Sequence, residues 1–174
     1  MRFLLLVSLL LGTPPGAVGG QRPRQTARPS IVGTWELLTF ESRDSAGVTT
    51  HPLGKRPKGI LVYDQEQRVS AQLFDPDRPR FASGDRATGT DAEVRAAFNG
   101  AFAYYGRYLL DTARSLVTHH VEGASFPNWI GTDLVREYRI DHDSARRDRL
   151  TITTRPQLVG GHRIVTVLVW RRAP

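Results

Sequence analysis

Apolar and polar residues alternate over short segments along most of the chain, a period of two that is typical of half-buried β-strands. The predicted strands are residues 33–40, 48–51, 59–63, 68–74, 104–110, 116–122, 133–140, 150–154 and 164–171. Turn residues and connections of hairpin length favour antiparallel pairing. We therefore predict an all-β fold, a single antiparallel β-barrel of about eight to nine strands, because closure removes exposed strand edges. A β-sandwich is the alternative architecture.

One internal helix interrupts the strands. Its predicted start is Thr90, which forms a capping box with Glu93, so that each side chain pairs with a free backbone N–H. Apolar residues then recur at helical spacing on one face: Val94, Ala97, Phe98, Ala101 and Phe102. Gly100 costs such a helix about 1 kcal/mol relative to alanine, so we expect packing to hold it. Residues 81–104 are expected to cover the barrel mouth.

The N-terminus has the pattern of a secretory signal. Arg2 precedes an apolar run over residues 3–11, two prolines follow, and small residues lead to Gly20. The apolar run is too short for a membrane helix, which needs about 20 residues. We predict a signal peptide over residues 1–20, a disordered leader over 21–30 and one domain over 31–172. The protein is then exported, to the periplasm or the medium, without a stable membrane anchor.

Composition excludes several classes of site. The 174 residues include no cysteine, so neither a disulfide nor a thiolate zinc site can form. The formal charge is +7, but four arginines lie before residue 31 and the remaining charges alternate in sign. No basic patch for nucleic acid is therefore predicted. No nucleophile elbow, phosphate-binding loop or dinucleotide fingerprint occurs either, and we predict no cofactor and no metal.

Residues 118–133, THHVEGASFPNWIGTD, concentrate the side chains able to bind or do chemistry. With residues 70–73, 78–85 and 104–108 they form an ordered set that resembles the microbial lipocalin-like domain family over residues 31–172. The resemblance implies a small calycin-type barrel with an interior cavity, and on this ground alone Gln72 is a candidate cavity residue. The export signal departs from the cytosolic pathway roles of some members.

Gly33 and Trp35 match the Gly-x-Trp pattern of lipocalins, in which the tryptophan closes the barrel floor. An arginine from the last strand can stack on it, a cation–π contact worth roughly 0.5–2 kcal/mol. Arg171 or Arg172 is placed to do so. This motif is structural and predicts no chemistry.

Alternation places one set of polar side chains inside the barrel, because successive strand residues point to opposite faces. The inward candidates are Tyr104, Tyr108, His119, Arg136 and Tyr138. His119 is then either a hydrogen-bonded core residue or a ligand contact. An interior Arg136 needs an acceptor, either a protein carboxylate or an acidic or enolate group of a ligand. A metal at His120 and Glu122, which share a face, is disfavoured because no spacing matches an established metal motif.

We interpret the chain as a lipocalin-like barrel that binds a small apolar or amphipathic molecule in its cavity. The alternative is a cofactor-independent isomerase or cyclase, in which His119 shuttles a proton and Arg136 stabilises an enolate. A structural protein with a filled barrel is the third class. Arg80 is a further candidate because it can gate an anionic ligand, although aspartates beside it predict salt bridges within its own loop. The candidate ligand-binding residues are Gln72, Arg80, Tyr104, Tyr108, His119, His120, Asn128, Trp129, Arg136 and Tyr138.

Overall fold

The computed structural model describes residues 30–143, 145 and 147–174. The predicted signal peptide, residues 1–20, and all of the predicted leader except Ser30 lie outside the described residues. The strands are β1 (Gly33–Asp44), β2 (Thr49–Thr50), β3 (Lys58–Tyr63), β4 (Arg68–Phe74), β5 (Ala101–Asp111), β6 (Leu116–Ala124), β7 (Asp133–His142), β8 (Asp148–Thr154), β9 (Gln157–Val159) and β10 (His162–Arg172). Helix α1 is Asp91–Asn99, and a 3-10 turn covers Pro127–Trp129.

Eight of these strands close into an antiparallel barrel in the order β1-β3-β4-β5-β6-β7-β8-β10, and β10 pairs back onto β1. The short strands β2 and β9 add to β1 and β10. The predicted all-β barrel with one helix is therefore confirmed. Strand β9 was not predicted, since its three residues are too few to show a period of two.

The two ends of the barrel differ in their connections. Tight turns at residues 64–67 and 112–115 lie at one end, called here the turn end, where β7 also ends and β8 begins. Longer connections over residues 45–57, 75–100, 125–132 and 155–161 lie at the other, the loop end. Because loops carry binding residues on a rigid scaffold, the loop end is where access to the interior is expected.

Packed side chains close the turn end. Trp35 is fully buried, and its Nε1–H donates to the carbonyl of Ile31 at 2.8 Å. The guanidinium carbon of Arg172 lies 4.2 Å from the centre of the Trp35 ring, and Arg172 also donates to Asp148 at 2.7 Å. The predicted stacking on Trp35 is thus confirmed for Arg172, whereas Arg171 pairs with Glu36.

The capping box of α1 is confirmed. Thr90 accepts from the backbone N–H of Glu93, and the Glu93 carboxylate accepts from the N–H groups of Thr90 and Ala82. These bonds lower the pKa of Glu93 from its ordinary value, the bond from Ala82 most of all. The carboxylate therefore fastens the loop to the first turn of the helix.

The predicted extent of the helix is wrong. Gly100 ends it, and Ala101 and Phe102 begin β5. Its apolar face is not packed away either, since Val94 is 49% and Phe98 50% exposed. No helix in the part of the chain that the structure describes is both long and apolar enough to cross a membrane.

A bulge in the pairing of β5 with β6 lies between Tyr105 and Gly106. A Cβ atom at Gly106 would collide with the backbone carbonyl of His120, so only glycine lets the two strands approach this closely. Across the bulge Tyr104 is opposite Ala124, and the side chains of Tyr104 and His119 both face the interior, where they meet.

Candidate functional site

His119 is the polar centre of the barrel interior. It lies on β6, points inward as alternation predicts, and is fully buried. Its Nε2 lies 2.8 Å from the hydroxyl oxygen of Tyr63, and its Nδ1 lies 2.8 Å from the hydroxyl oxygen of Tyr104. Both ring nitrogens are thus paired, and the three side chains form one hydrogen-bonded chain across the barrel.

The three hydrogen-bonded side chains, Tyr63, His119 and Tyr104, are all held in their neutral state. Burial lowers the pKa of His119 well below its ordinary value of 6.5, and the nearby charge of Arg136 lowers it further. Burial also raises the pKa of both Tyr63 and Tyr104, although the Arg136 charge opposes that rise. At neutral pH the site therefore contains a neutral imidazole between two neutral phenols.

Arg136 lies beside this chain and carries the charge of the site. On β7 its backbone partners are Val117 and Thr154, which places its side chain inside the barrel with theirs. Its guanidinium carbon is 5.8 Å from the centre of the Tyr104 ring. Among the ion pairs formed by residues 30–143, 145 and 147–174, none includes Arg136. The protein carboxylate that sequence reasoning offered as its partner is absent from the described chain.

Arg136 also remains reachable from solvent. It is half-buried, as are the inward-facing residues Leu134 and Tyr138 of the same strand. The inner face of β7 is therefore less shielded than that of β6, where Val117, His119 and Val121 are buried. This partial exposure disfavours a barrel filled throughout by its own side chains.

An aromatic wall lines the interior at the loop end. Phe40 stacks on Phe102 with ring centres 5.7 Å apart, and Phe102 stacks on Trp129 at 6.0 Å. Trp129 also meets the edge of Tyr104 at 5.9 Å, so the wall reaches the polar chain. These rings are half-buried except Tyr104, which is buried. A flat or apolar molecule in contact with this wall has hydrogen-bond donors within reach.

Two predicted interior tyrosines have structural roles. The Tyr108 hydroxyl donates to the backbone carbonyl of Asp64 at 2.7 Å, and its ring packs edge-on against Tyr63 at 4.9 Å. This contact ties the turn after β3 to β5 at the turn end. Tyr138 is opposite Ile152 and packs against the core from the inner face of β7.

Other candidates lie away from the interior, and for Gln72 the place in the cavity that the family resemblance implied is wrong. His120 is exposed on the outer face and pairs with Asp133 at 2.9 Å, because it alternates with the buried His119. Gln72 is exposed for the same reason, because it lies between Ala71 and Leu73 on β4 and these two residues face inward. It borders an outer groove of about 500 Å³ with charged neighbours.

Two further candidate residues lie on connections between the strands. Asn128 is exposed in the 3-10 turn, and Arg80 is exposed in the segment before α1. The predicted salt bridges of that loop are wrong for the described chain. Arg78 instead donates to the backbone carbonyls of Asp75 and Ala97, at 2.9 and 3.4 Å.

The outer histidine and its strand neighbour do not assemble a metal site. Glu122 pairs with Arg68 at 3.6 Å and with Arg107 at 3.4 Å. Within the described residues no group of three or more His, Asp or Glu side chains is arranged to hold an ion.

Sequence reasoning missed Tyr63, Phe40 and Phe102 as site residues. Alternation within β3 could have identified Tyr63, because Gly59, Leu61 and Tyr63 share a face. Phe40 depends on the β1 irregularity between Leu37 and Thr39, which changes the facing of the residues beyond it and leaves no sequence signal.

Comparison with known proteins agrees with this fold. A family model described as a lipocalin-like domain matches residues 32–173, which span the barrel from β1 to β10. The chain is also 32% identical over 112 residues to the 4'-hydroxy-3'-methoxypropiophenone carrier protein of Aspergillus oryzae. That match covers 61% of this chain and 97% of the fungal protein. The closed eight-stranded barrel and the family match together show that the chain belongs to the lipocalin-like domain family.

Proposed function

We propose that the protein is a carrier that binds a small amphipathic molecule at the loop end of its barrel, with Arg136 as the polar anchor. The observation that carries the proposal is the position of Arg136. It points inward, stays reachable from solvent and pairs with no carboxylate of the described chain. A guanidinium that no carboxylate neutralises and that lies partly out of water gains from a charged or carbonyl acceptor, and a ligand oxygen would supply one.

The surroundings of Arg136 suggest the shape of the ligand. The rings of Phe40, Phe102 and Trp129 favour an aromatic or otherwise flat apolar body. The guanidinium and the Tyr104 hydroxyl favour a carbonyl, carboxylate or enolate at one end of it. The fungal relative is named for a propiophenone, an aryl ketone, which combines these two features.

The test of this proposal is a binding titration of two arginine variants by calorimetry. Arg136→Gln should weaken binding of 4'-hydroxy-3'-methoxypropiophenone or a related aryl acid by roughly 10- to 150-fold. That range follows because a hydrogen bond to a charged group is worth about 1.5–3 kcal/mol. Arg139→Gln is the matched control, since Arg139 lies on the same strand, is exposed and pairs with Asp141. Equal affinities of the two variants would remove the support for Arg136 as the anchor.

A cofactor-independent isomerase or cyclase is the second candidate, and the Tyr63–His119–Tyr104 chain favours it. A neutral imidazole can accept a proton, and Arg136 can stabilise an enolate. Because both nitrogens of His119 are paired with tyrosines, any proton would pass through Tyr104. Incubation of a bound ketone in deuterated water separates the two functions: a carrier returns it without deuterium at the carbon next to the carbonyl.

Export is a separate proposal that rests on the first twenty residues. Arg2, the apolar run over residues 3–11 and the small residues up to Gly20 support a cleaved signal peptide. Protein recovered from its native host should start near residue 20 when its N-terminus is sequenced. An intact Met1 on protein from the cytoplasm would contradict export.

A further inference from the structure

The direction of the hydrogen bonds in the Tyr63–His119–Tyr104 chain is open to two readings. A neutral imidazole has one N–H donor and one acceptor nitrogen. Either Tyr63 donates to Nε2 and Nδ1–H donates to Tyr104, or both bonds run the other way. The two tautomers leave different hydroxyl protons uncommitted.

Burial distinguishes the two directions. Tyr63 is 1% exposed, and its hydroxyl has His119 Nε2 as its hydrogen-bond partner within the described chain. If Nε2 carried the proton, the hydroxyl proton of Tyr63 would be left unpaired in the core, which native structures avoid. If Tyr63 donates to Nε2, its proton is satisfied. The proton of Tyr104 is then the uncommitted one.

Tyr104 is better placed to have an uncommitted proton. It borders the half-buried Trp129 and Arg136, where a ligand or water can accept the bond. The positive charge of Arg136 also orients the Tyr104 hydroxyl, because it attracts the lone pairs of the oxygen and repels the hydroxyl proton. Geometry and burial thus agree on one direction.

We infer that Tyr104 donates its hydroxyl proton to the ligand, and that Tyr63 sets this direction from the core by fixing His119 as the Nδ1–H tautomer. The inference rests on the proposed carrier function and names the ligand class more closely. Tyr104 and Arg136 then present only donors at the polar end of the site. The ligand must carry an acceptor there, a ketone, carboxylate or phenolate oxygen, and a group that can only donate is rejected because its proton would face theirs.

Tyr63 is accordingly a positioning residue that acts through His119, and two measurements test its role. The first is the nitrogen-15 spectrum of the histidine ring, which reports which nitrogen carries the proton. Wild-type protein should show a protonated Nδ1 and an unprotonated Nε2 at His119 near neutral pH. A protonated Nε2 in wild-type protein would overturn the inference.

The second measurement is the preference for a carbonyl. The probes are 4'-hydroxy-3'-methoxypropiophenone and its counterpart in which a CH₂ replaces the carbonyl. Tyr104→Phe should lower affinity for the ketone about tenfold while leaving affinity for the counterpart unchanged. The control is Tyr105→Phe, because Tyr105 is 56% exposed on the other face of β5 and should change neither. A Tyr104→Phe variant that keeps the full ketone preference would contradict donation by Tyr104.

Tyr63→Phe links the two measurements. Without a donor at Nε2 the tautomer is no longer fixed, so the Nδ1–H fraction should fall. Only the Nδ1–H tautomer leaves the Tyr104 proton free for the ligand. The dissociation constant for the ketone should therefore rise by a factor equal to one divided by the remaining Nδ1–H fraction. If the Tyr63→Phe variant keeps the full Nδ1–H population, Tyr63 does not set the tautomer of His119. If the Nδ1–H population falls but the preference for the ketone does not, the tautomer does not control ligand binding. If Tyr63→Phe does not fold, the wild-type spectrum and Tyr104→Phe still decide.

Failure of the carrier proposal gives a different result. Wild-type protein would then bind neither probe. The ring spectrum would still uphold or overturn the direction of the chain, because it needs no ligand.

Discussion

Replacing Trp35 by alanine should lower the free energy of unfolding by about 3–5 kcal/mol, measured by urea denaturation. The side chain is fully buried, donates its indole N–H to Ile31 and is covered by the Arg172 guanidinium. Its removal therefore leaves a large cavity, an unpaired carbonyl and an arginine without its aromatic partner. Since a domain of this size is marginally stable, this single change should remove a large share of its total stability.

Two further variants separate the contributions. Trp35→Phe keeps a ring beneath Arg172 but loses the bond to Ile31, and should cost less than the alanine variant. Trp129→Ala is the matched tryptophan control, because Trp129 is only half-buried at the loop end. It should cost less stability than Trp35→Ala while weakening ligand binding. A loss below 1 kcal/mol for Trp35→Ala would show that Trp35 does not close the barrel.

The strands could be predicted from the sequence because their chemistry is local. Alternation along β6 and β7 depends only on which neighbours are apolar, and the structure places those faces as expected. Helix α1 shows the limit of such local patterns. Val94, Phe98 and Phe102 recur at helical spacing, but pairing with Leu73 draws Phe102 into β5, so the helix ends at Asn99. A helical period cannot show that a neighbouring strand competes for the same residues.

The candidate site divides in the same way. Facing is local, so His119 and Arg136 were predicted inside and are found there. The hydrogen-bond partner of an inward side chain, in contrast, can be distant in the sequence. Tyr63 reaches His119 across 56 positions of sequence, and no spacing rule links two such residues. The same limit applies to Arg136, whose lack of a carboxylate in the described chain is visible only once the barrel has closed.

Lowering the pH from 7.5 to 5.0 should destabilise the protein through His119. Burial and Arg136 hold the folded-state pKa of His119 well below 6.5, its ordinary value in an unfolded chain. Below about pH 6.5 the unfolded state therefore takes up a proton that the folded state refuses, and stability falls with falling pH. This contribution is fully present above about pH 6.5 and is lost as the pH falls below it, by at most about 1.4 kcal/mol per pH unit.

The measurement is the free energy of unfolding of wild-type, His119→Gln and His120→Gln protein across this pH range. His119→Gln should be less stable at pH 7.5, because it disturbs two buried hydrogen bonds, but should show a shallower decline toward pH 5.0. His120→Gln should show the wild-type decline, since His120 is exposed on the outer face. The lowered carboxyl pKa values of Glu93 and Asp143 act mainly in more acidic solution than this range. An unchanged slope in His119→Gln would mean that His119 accepts a proton in the folded barrel, and the neutral Tyr63–His119–Tyr104 chain would not hold.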